Sequence, residues 1–253
     1  MAAGKMSPMN LVLLEPGEIR TDGTARVSGR RARHVAAILQ ARAGDAILAG
    51  VAGGRLGEAR VLASGADEIV LAPSLDRDPP PPAPVELLLA LPRPKILRRV
   101  LQGAASMGVK RIALLGSWKV EKSYWASPLL EPAALRAELL VGLEQARDTV
   151  VPEVVAHRFF KPFVEDALET AFAGTERLVA HPGSPRLGPS PRAAVPRAVV
   201  AVGPEGGWTE YEAGQLQRHG FRPFSLGPRP LRVDVAVPCA VGQVEQWLRA
   251  CAA

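Results

Sequence analysis

A chain of 253 residues with 47% hydrophobic content can bury a sizeable core, either as one large domain or as two modest ones. No apolar run approaches the roughly 20 residues of a membrane span, and residues 9–14 are too short for a convincing signal peptide, so a cytoplasmic location is expected. Cys239 and Cys251 form no CxxC pair, which argues against a disulfide framework or a zinc knuckle, and no metal site is expected.

The net charge of +6 is unevenly spread. Arg20, Arg26, Arg30, Arg31, Arg33 and Arg42 meet a single acid, Asp22, in the first basic stretch. Residues 30–40 predict a helix in which His34, Val35, Ile38 and Leu39 are spaced for a packed face, with the arginines opposite. Residues 46–51 and 57–62 predict strands on either side of a Gly53-Gly54 hairpin turn, and residues 68–71 a further strand, giving a small β-rich module. Residues 78–84, DPPPPAP, cannot lie inside a helix or a central strand and predict a stiff boundary.

Beyond the prolines, strands and helices alternate. Strands are predicted over 85–91, 111–115, 177–180, 198–202 and 223–225, and helices over 96–107, 132–148, 164–172, 210–219 and a last stretch toward 250. This alternation predicts an α/β domain with a mainly parallel sheet covered on both faces, its ligands at the carboxyl ends of the strands. A second basic stretch, Arg93, Lys95, Arg98, Arg99, Lys110 and Arg111, meets no acid. With the remainder of the chain slightly acidic, the two stretches read as a polyanion surface or, more simply, as a solvated basic face.

Three loops follow three of the predicted strands: His181-Pro182-Gly183, Gly203-Pro204-Glu205-Gly206-Gly207 behind Val202, and residues 226–232, LGPRPLR. Gly203, Gly206 and Gly207 lack Cβ, so the backbone can take positive φ and bring its N–H groups to a ligand; the same glycines also suit a plain strand-to-helix connection. Thr209 with Glu212 reads as a capping box opening the next helix. Loops rich in Gly and Pro with few charges suit a nucleoside better than a triphosphate. No Walker lysine motif, no GxGxxG behind the first α/β strand, no HExxH and no Gly-x-Ser-x-Gly elbow is present, which disfavours a nicotinamide oxidoreductase.

HPG, GPEGGW and LGPRPLR, together with residues 144–149 (EQARDT) and 151–154 (VPEV), resemble the bacterial 16S rRNA (uracil-N3) methyltransferase family. Residues 33–45 resemble its N-terminal RNA-binding segment, and residues 118–125 (WKVEKSYW) a loop of one branch of it. The resemblance implies a PUA-like β-barrel over 1–78, a proline linker over 79–84, and a SPOUT-type methyltransferase domain over 85–253 whose C-terminal segment forms a deep trefoil knot. It further implies S-adenosylmethionine as cofactor, a homodimer, and methylation of N3 of one uridine in the decoding region of small-subunit rRNA.

Carried onto this sequence, the cofactor loops are His181, Pro182 and Gly183; Val202, Gly203, Pro204, Glu205, Gly206 and Gly207; and Leu226, Gly227, Leu231 and Arg232. Asp234 or Glu205 is the expected proton acceptor, and Arg232 and Arg147 are expected to steady the uracil anion and a phosphate; an Arg232–Asp234 ion pair that only shapes the knot is the alternative. Arg26, Arg30, Arg31, Arg33, His34, Arg42, Lys95 and Arg98 are the expected RNA contacts. The chain departs from the family at Asp234 and Val235, where glutamate and threonine are usual, and over 102–108, which lack the usual lysine and glutamate. A SPOUT enzyme acting on tRNA ribose and a non-catalytic RNA-binding assembly factor remain as other readings.

Overall fold

The computed structural model describes residues 11–188 and 196–252, without the side chains of His34, Ile38 and Leu39. The described chain divides into two compact units: the chain up to Pro81 with Leu140–Val151, and Pro82–Leu139 with the chain from Pro152 onward.

The first unit is a nearly closed barrel of five strands, β1 (Val12–Leu14), β2 (Ala25–Ser28), β3 (Ala46–Val51), β4 (Leu56–Ser64) and β5 (Glu68–Arg77), in the order β1-β3-β4-β5-β2. β1 runs parallel to β3 and every other pair is antiparallel. Alternation does the sorting: Ala25 and Val27 are buried while Arg26 and Ser28 are exposed. The β3–β4 hairpin turns where expected, with Gly53 at φ +78°. At Gly57 a Cβ would stand 2.1 Å from the Ser74 carbonyl oxygen, and the ladder slips its register beside it, between Leu56 and Glu58. The predicted helix over 30–40 is shorter and irregular: α1 (Arg30–His34) widens into a π-turn over Val35–Leu39, with Ala32 and Val35 fully buried. Leu140–Val151 completes this unit, the Thr149 carbonyl accepting from Gly53 N–H at 2.7 Å and the Glu144 carbonyl from Leu11 N–H at 2.8 Å.

The second unit is a six-stranded, all-parallel sheet made of β6 (Val85–Ala90), β7 (Arg111–Leu115), β8 (Glu153–His157), β9 (Glu176–Ala180), β10 (Ala198–Val202) and β11 (Arg222–Phe224), ordered β11-β9-β10-β6-β7-β8. The central strands β6 and β10 are buried along their whole length, as continuous apolar runs in a sheet covered on both faces must be. Helices α2 (Pro94–Ser106) and α7 (Val233–Ala252) pack on each other, and α7 also on β6 and β10. Leu97, Val100, Leu101, Ala104 and Ala105 form the buried stripe of α2, which stops at Gly108 with φ +80°. The remaining helices are α3 (Pro132–Ala146), whose residues from Leu140 on belong to the first unit, the short α4 (Phe160–Pro162) and α5 (Leu168–Ala171) joined by a wider turn, and α6 (Glu210–Arg218).

Candidate functional site

β11, β9 and β10 are adjacent and parallel, so the three loops that leave their carboxyl ends rise from one edge of the sheet. This brings HPG, GPEGG and LGPRPLR together. His181 N–H donates to the Phe224 carbonyl at 2.9 Å, and Ser225 N–H to the Pro185 carbonyl at 2.9 Å, stitching the segment after β9 to the end of β11. Gly183 turns the first loop at φ +79° and Gly227 opens the third at φ +135°.

The three glycines of GPEGG serve different ends. Gly207 alone is left-handed, at φ +69°, its N–H donating to the Pro204 carbonyl at 2.8 Å. Gly203 is closely packed, since a Cβ there would stand 3.2 Å from the Trp208 indole and backbone nitrogen. At Gly206 a Cβ would meet the Lys119 side chain at 2.9 Å. Trp208 is nearly buried, and its Nε1–H has no partner among the described residues.

The capping box forms as the sequence predicts. Thr209 Oγ1 accepts from Glu212 N–H at 3.2 Å, while Glu212 Oε2 accepts from Thr209 N–H at 2.9 Å. The other oxygen, Oε1, accepts from Trp118 N–H at 2.8 Å, and Lys119 Nζ donates to the Gly206 carbonyl at 2.7 Å. The segment after β7 is therefore latched to the GPEGG turn.

At the start of α7, Asp234 Oδ2 accepts from Arg232 at 3.2 Å and from Arg99 of α2 at 3.0 Å. Its Oδ1 is buried with no partner among the described residues. The Arg99 hydrogen bond, helped by the Arg232 charge and opposed by burial, holds the Asp234 carboxyl below its ordinary value of 3.8. Arg99 belongs to the second basic stretch, and nothing in the sequence ties it to an aspartate 135 positions away. Glu205 sits at the loop tip, where its Oε1 accepts from Arg93 N–H at 3.1 Å.

Residues 79–245 match the family described as RNA methyltransferase domain. The chain is 32% identical to the ribosomal RNA small subunit methyltransferase E of Treponema pallidum, over 95% of this chain and 94% of that protein. The chain belongs to this methyltransferase family. It is also 28% identical to the protein of the same name from Synechocystis, over 90% of this chain and 74% of that one. Among solved structures, the Neisseria gonorrhoeae ribosomal RNA small subunit methyltransferase E bound to S-adenosyl methionine superposes with a TM-score of 0.71 at 20% identity, covering 94% of this chain and 97% of that one. A Legionella pneumophila putative methyltransferase with bound cofactor gives 0.70 at 22% identity, covering 95% and 98%. They share this chain's α/β fold, a barrel followed by a parallel-sheet methyltransferase domain.

The expected RNA contacts of this family member divide by their partners. Arg26 is paired with Glu68, Arg30 with Glu144, and Arg98 with Glu138. Arg31 is held by Glu18 and the Leu13 carbonyl, only one-fifth exposed. Arg33, Arg42 and Lys95 are exposed and carry no ion pair among the described residues. The His34 side chain lies outside the described residues. Arg147 belongs to the first unit, exposed and left-handed at φ +56°. No described helix is long and apolar enough to cross a membrane.

Proposed function

We propose that the protein is an S-adenosylmethionine-dependent methyltransferase that modifies N3 of a uridine in the decoding region of small-subunit 16S rRNA, acting in the cytoplasm as a homodimer whose C-terminal segment is knotted. The observation that carries this reading is the convergence of three Gly/Pro loops at the carboxyl ends of three adjacent parallel strands, with two carboxylates, Glu205 and Asp234, on those loops or immediately after them.

The residues present fit the cofactor. Backbone groups of the three loops suit an adenosine, and the buried orphans Trp208 Nε1–H and Asp234 Oδ1 offer a donor and an anionic acceptor for its polar ends. His181, Pro182 and Gly183, residues 202–207, and Leu226, Gly227, Leu231 and Arg232 would hold it. When bound, S-adenosylmethionine supplies an electrophilic methyl group.

The chain must then free the uracil nitrogen. N3 carries a proton and its electrons are delocalised into the ring carbonyls, so a base that takes the proton raises its nucleophilicity. A carboxylate shared by two guanidiniums is a weak base, which counts against Asp234 and supports Glu205 as the acceptor. Asp234 positions Arg232 and Arg99, and Arg232 offsets the negative charge that develops on the uracil oxygens. N3 lies on the pairing edge, so the target base must be unpaired. Arg33, Arg42, Lys95 and Arg147 contact phosphates.

The test is single-turnover transfer from labelled S-adenosylmethionine to rRNA from cells lacking the enzyme, followed by nucleoside analysis. N3-methyluridine is expected, with loss of rate in Glu205→Gln and Arg232→Ala. A ribose-methylated product, or wild-type rates in both variants, overturns the assignment.

A further inference from the structure

We infer that Trp118 and Phe159 form a stacking platform for the unpaired RNA nucleotides that flank the target base; this rests on the proposed rRNA substrate and specifies how that substrate is held. Both rings are large, apolar and exposed, Trp118 at 86% and Phe159 at 66%. They leave neighbouring points of the sheet. β7 and β8 are paired in parallel with Leu115 opposite His157, so their exits stand side by side. Gly116 N–H donates to the His157 carbonyl at 2.8 Å, and the two chains come so close that a Cβ on Gly116 would stand 2.0 Å from the Arg158 oxygen.

An exposed ring on a loose loop would be ordinary surface. These stems are fixed. Trp118 N–H is held by the buried Glu212, and the next residue, Lys119, by the Gly206 carbonyl. The residue after Phe159, Phe160, packs its ring 6.1 Å from that of Trp208, the last residue of GPEGGW. Both platform residues are thus braced against the turn assigned to the cofactor, and Trp118 is one wall of an open recess lined by residues 118–123. Pre-set rings lose little freedom when a base settles on them.

The charge of the surroundings chooses the partner. Lys119, Lys122 and Arg158 are exposed on the two loops that carry the rings, against Glu121, while farther out Arg93 stands beside Glu205 and Lys161 beside Glu165. Flat aromatic faces interleaved with cations match unpaired nucleotides, whose bases stack while their phosphates pair. A second copy of the chain would bring like charges together on the same face. Duplex RNA keeps its bases stacked inside and gains nothing from the rings.

The experiment uses the full chain with a labelled single-stranded RNA and a duplex of the same sequence, at fixed salt, with calorimetric S-adenosylmethionine binding alongside. Trp118→Ala and Phe159→Ala are each expected to weaken single-strand binding roughly 5- to 150-fold, the range for losing one base–aromatic stack, while duplex and cofactor affinity stay unchanged. Trp118→Phe restores most of the loss, and on rRNA the Ala variants raise KM more than they lower kcat. Wild-type single-strand affinity in both Ala variants overturns the platform, as does equal loss for single strand and duplex. Sedimentation showing that the substitutions dissociate an oligomer also overturns it and makes the face a self-association surface. If wild type binds cofactor and RNA but yields no methylated rRNA, the functional reading fails while the binding comparison still decides the platform.

Discussion

Glu212 holds two segments with one buried carboxylate, and its removal tests whether that latch supports the site. Its side chain takes Trp118 N–H, Thr209 N–H and Thr209 Oγ1–H, while its own N–H returns to Thr209 Oγ1. Glu212→Ala leaves two backbone donors without their acceptor, each worth about 1–3 kcal/mol when buried. Solvent reaches some of the opened space, so a total near 2–4 kcal/mol is expected. For a domain of this size that is a Tm drop of about 5–15 °C. Glu212→Gln keeps one acceptor oxygen but turns an NH2 toward donors, and falls about halfway. Thr209→Ser keeps the cap and should behave as wild type. Urea and thermal unfolding read the order Ala, Gln, Ser, and calorimetry should show cofactor affinity falling with it as the GPEGG turn loosens. If Glu212→Ala unfolds within about 0.5 kcal/mol of wild type, the latch contributes nothing and the bracing of Trp118 loses its basis.

Gly116→Ala forces a methyl against the Arg158 carbonyl, 2.0 Å away on rigid backbone, and should cost about 1–3 kcal/mol or more in urea unfolding; a neutral result contradicts the close approach. Asp234, held below 3.8 in the fold, stabilises fully above that value and loses its contribution as pH falls through the folded value. Asp234→Asn should therefore be less stable than wild type near neutrality, the gap closing in acid unfolding below pH 3.8; a gap that persists at lower pH refutes the arginine clamp. Arg33→Ala and Arg42→Ala should each reduce the salt slope of RNA binding by about 1. Arg31→Ala, which strips Glu18 of its partner, should instead lower stability by about 1–3 kcal/mol with the slope retained; the reverse pattern would reassign the phosphate contacts.

How much of this was legible in the sequence depended on how local the signal was. The β10–loop–α6 unit was readable because a continuous apolar strand, Gly-Pro punctuation and a capping box all fall within residues 198–218. β1, β2 and β8 give no strand signal, being three to five residues long and lying at sheet edges, with Arg26, Glu153 and His157 breaking the apolar pattern in β2 and β8. The wide turn over Val35–Leu39 looks like regular helix in the sequence because its apolar spacing does not separate a π-turn from an α-turn.

The return of Leu140–Val151 to the first unit was invisible for a different reason. Half-buried and buried positions of α3, among them Leu135, Leu139, Val141 and Leu143, surround the helix instead of forming one stripe, so periodicity could not say what each part would pack against. The site shows the same limit. Its loops were legible because glycine and proline act on their own backbone, yet even there the reason for Gly203 was hidden, since it depends on an indole five residues later folding back across it. Arg99, Glu212's grip on Trp118, and the bracing of Phe160 on Trp208 join residues from different strands' exits. A parallel sheet makes such neighbours by crossover, so residues that share one edge come from distant points of the chain. The loops could be found by composition, whereas the side chains that hold them needed the strand order β11-β9-β10-β6-β7-β8.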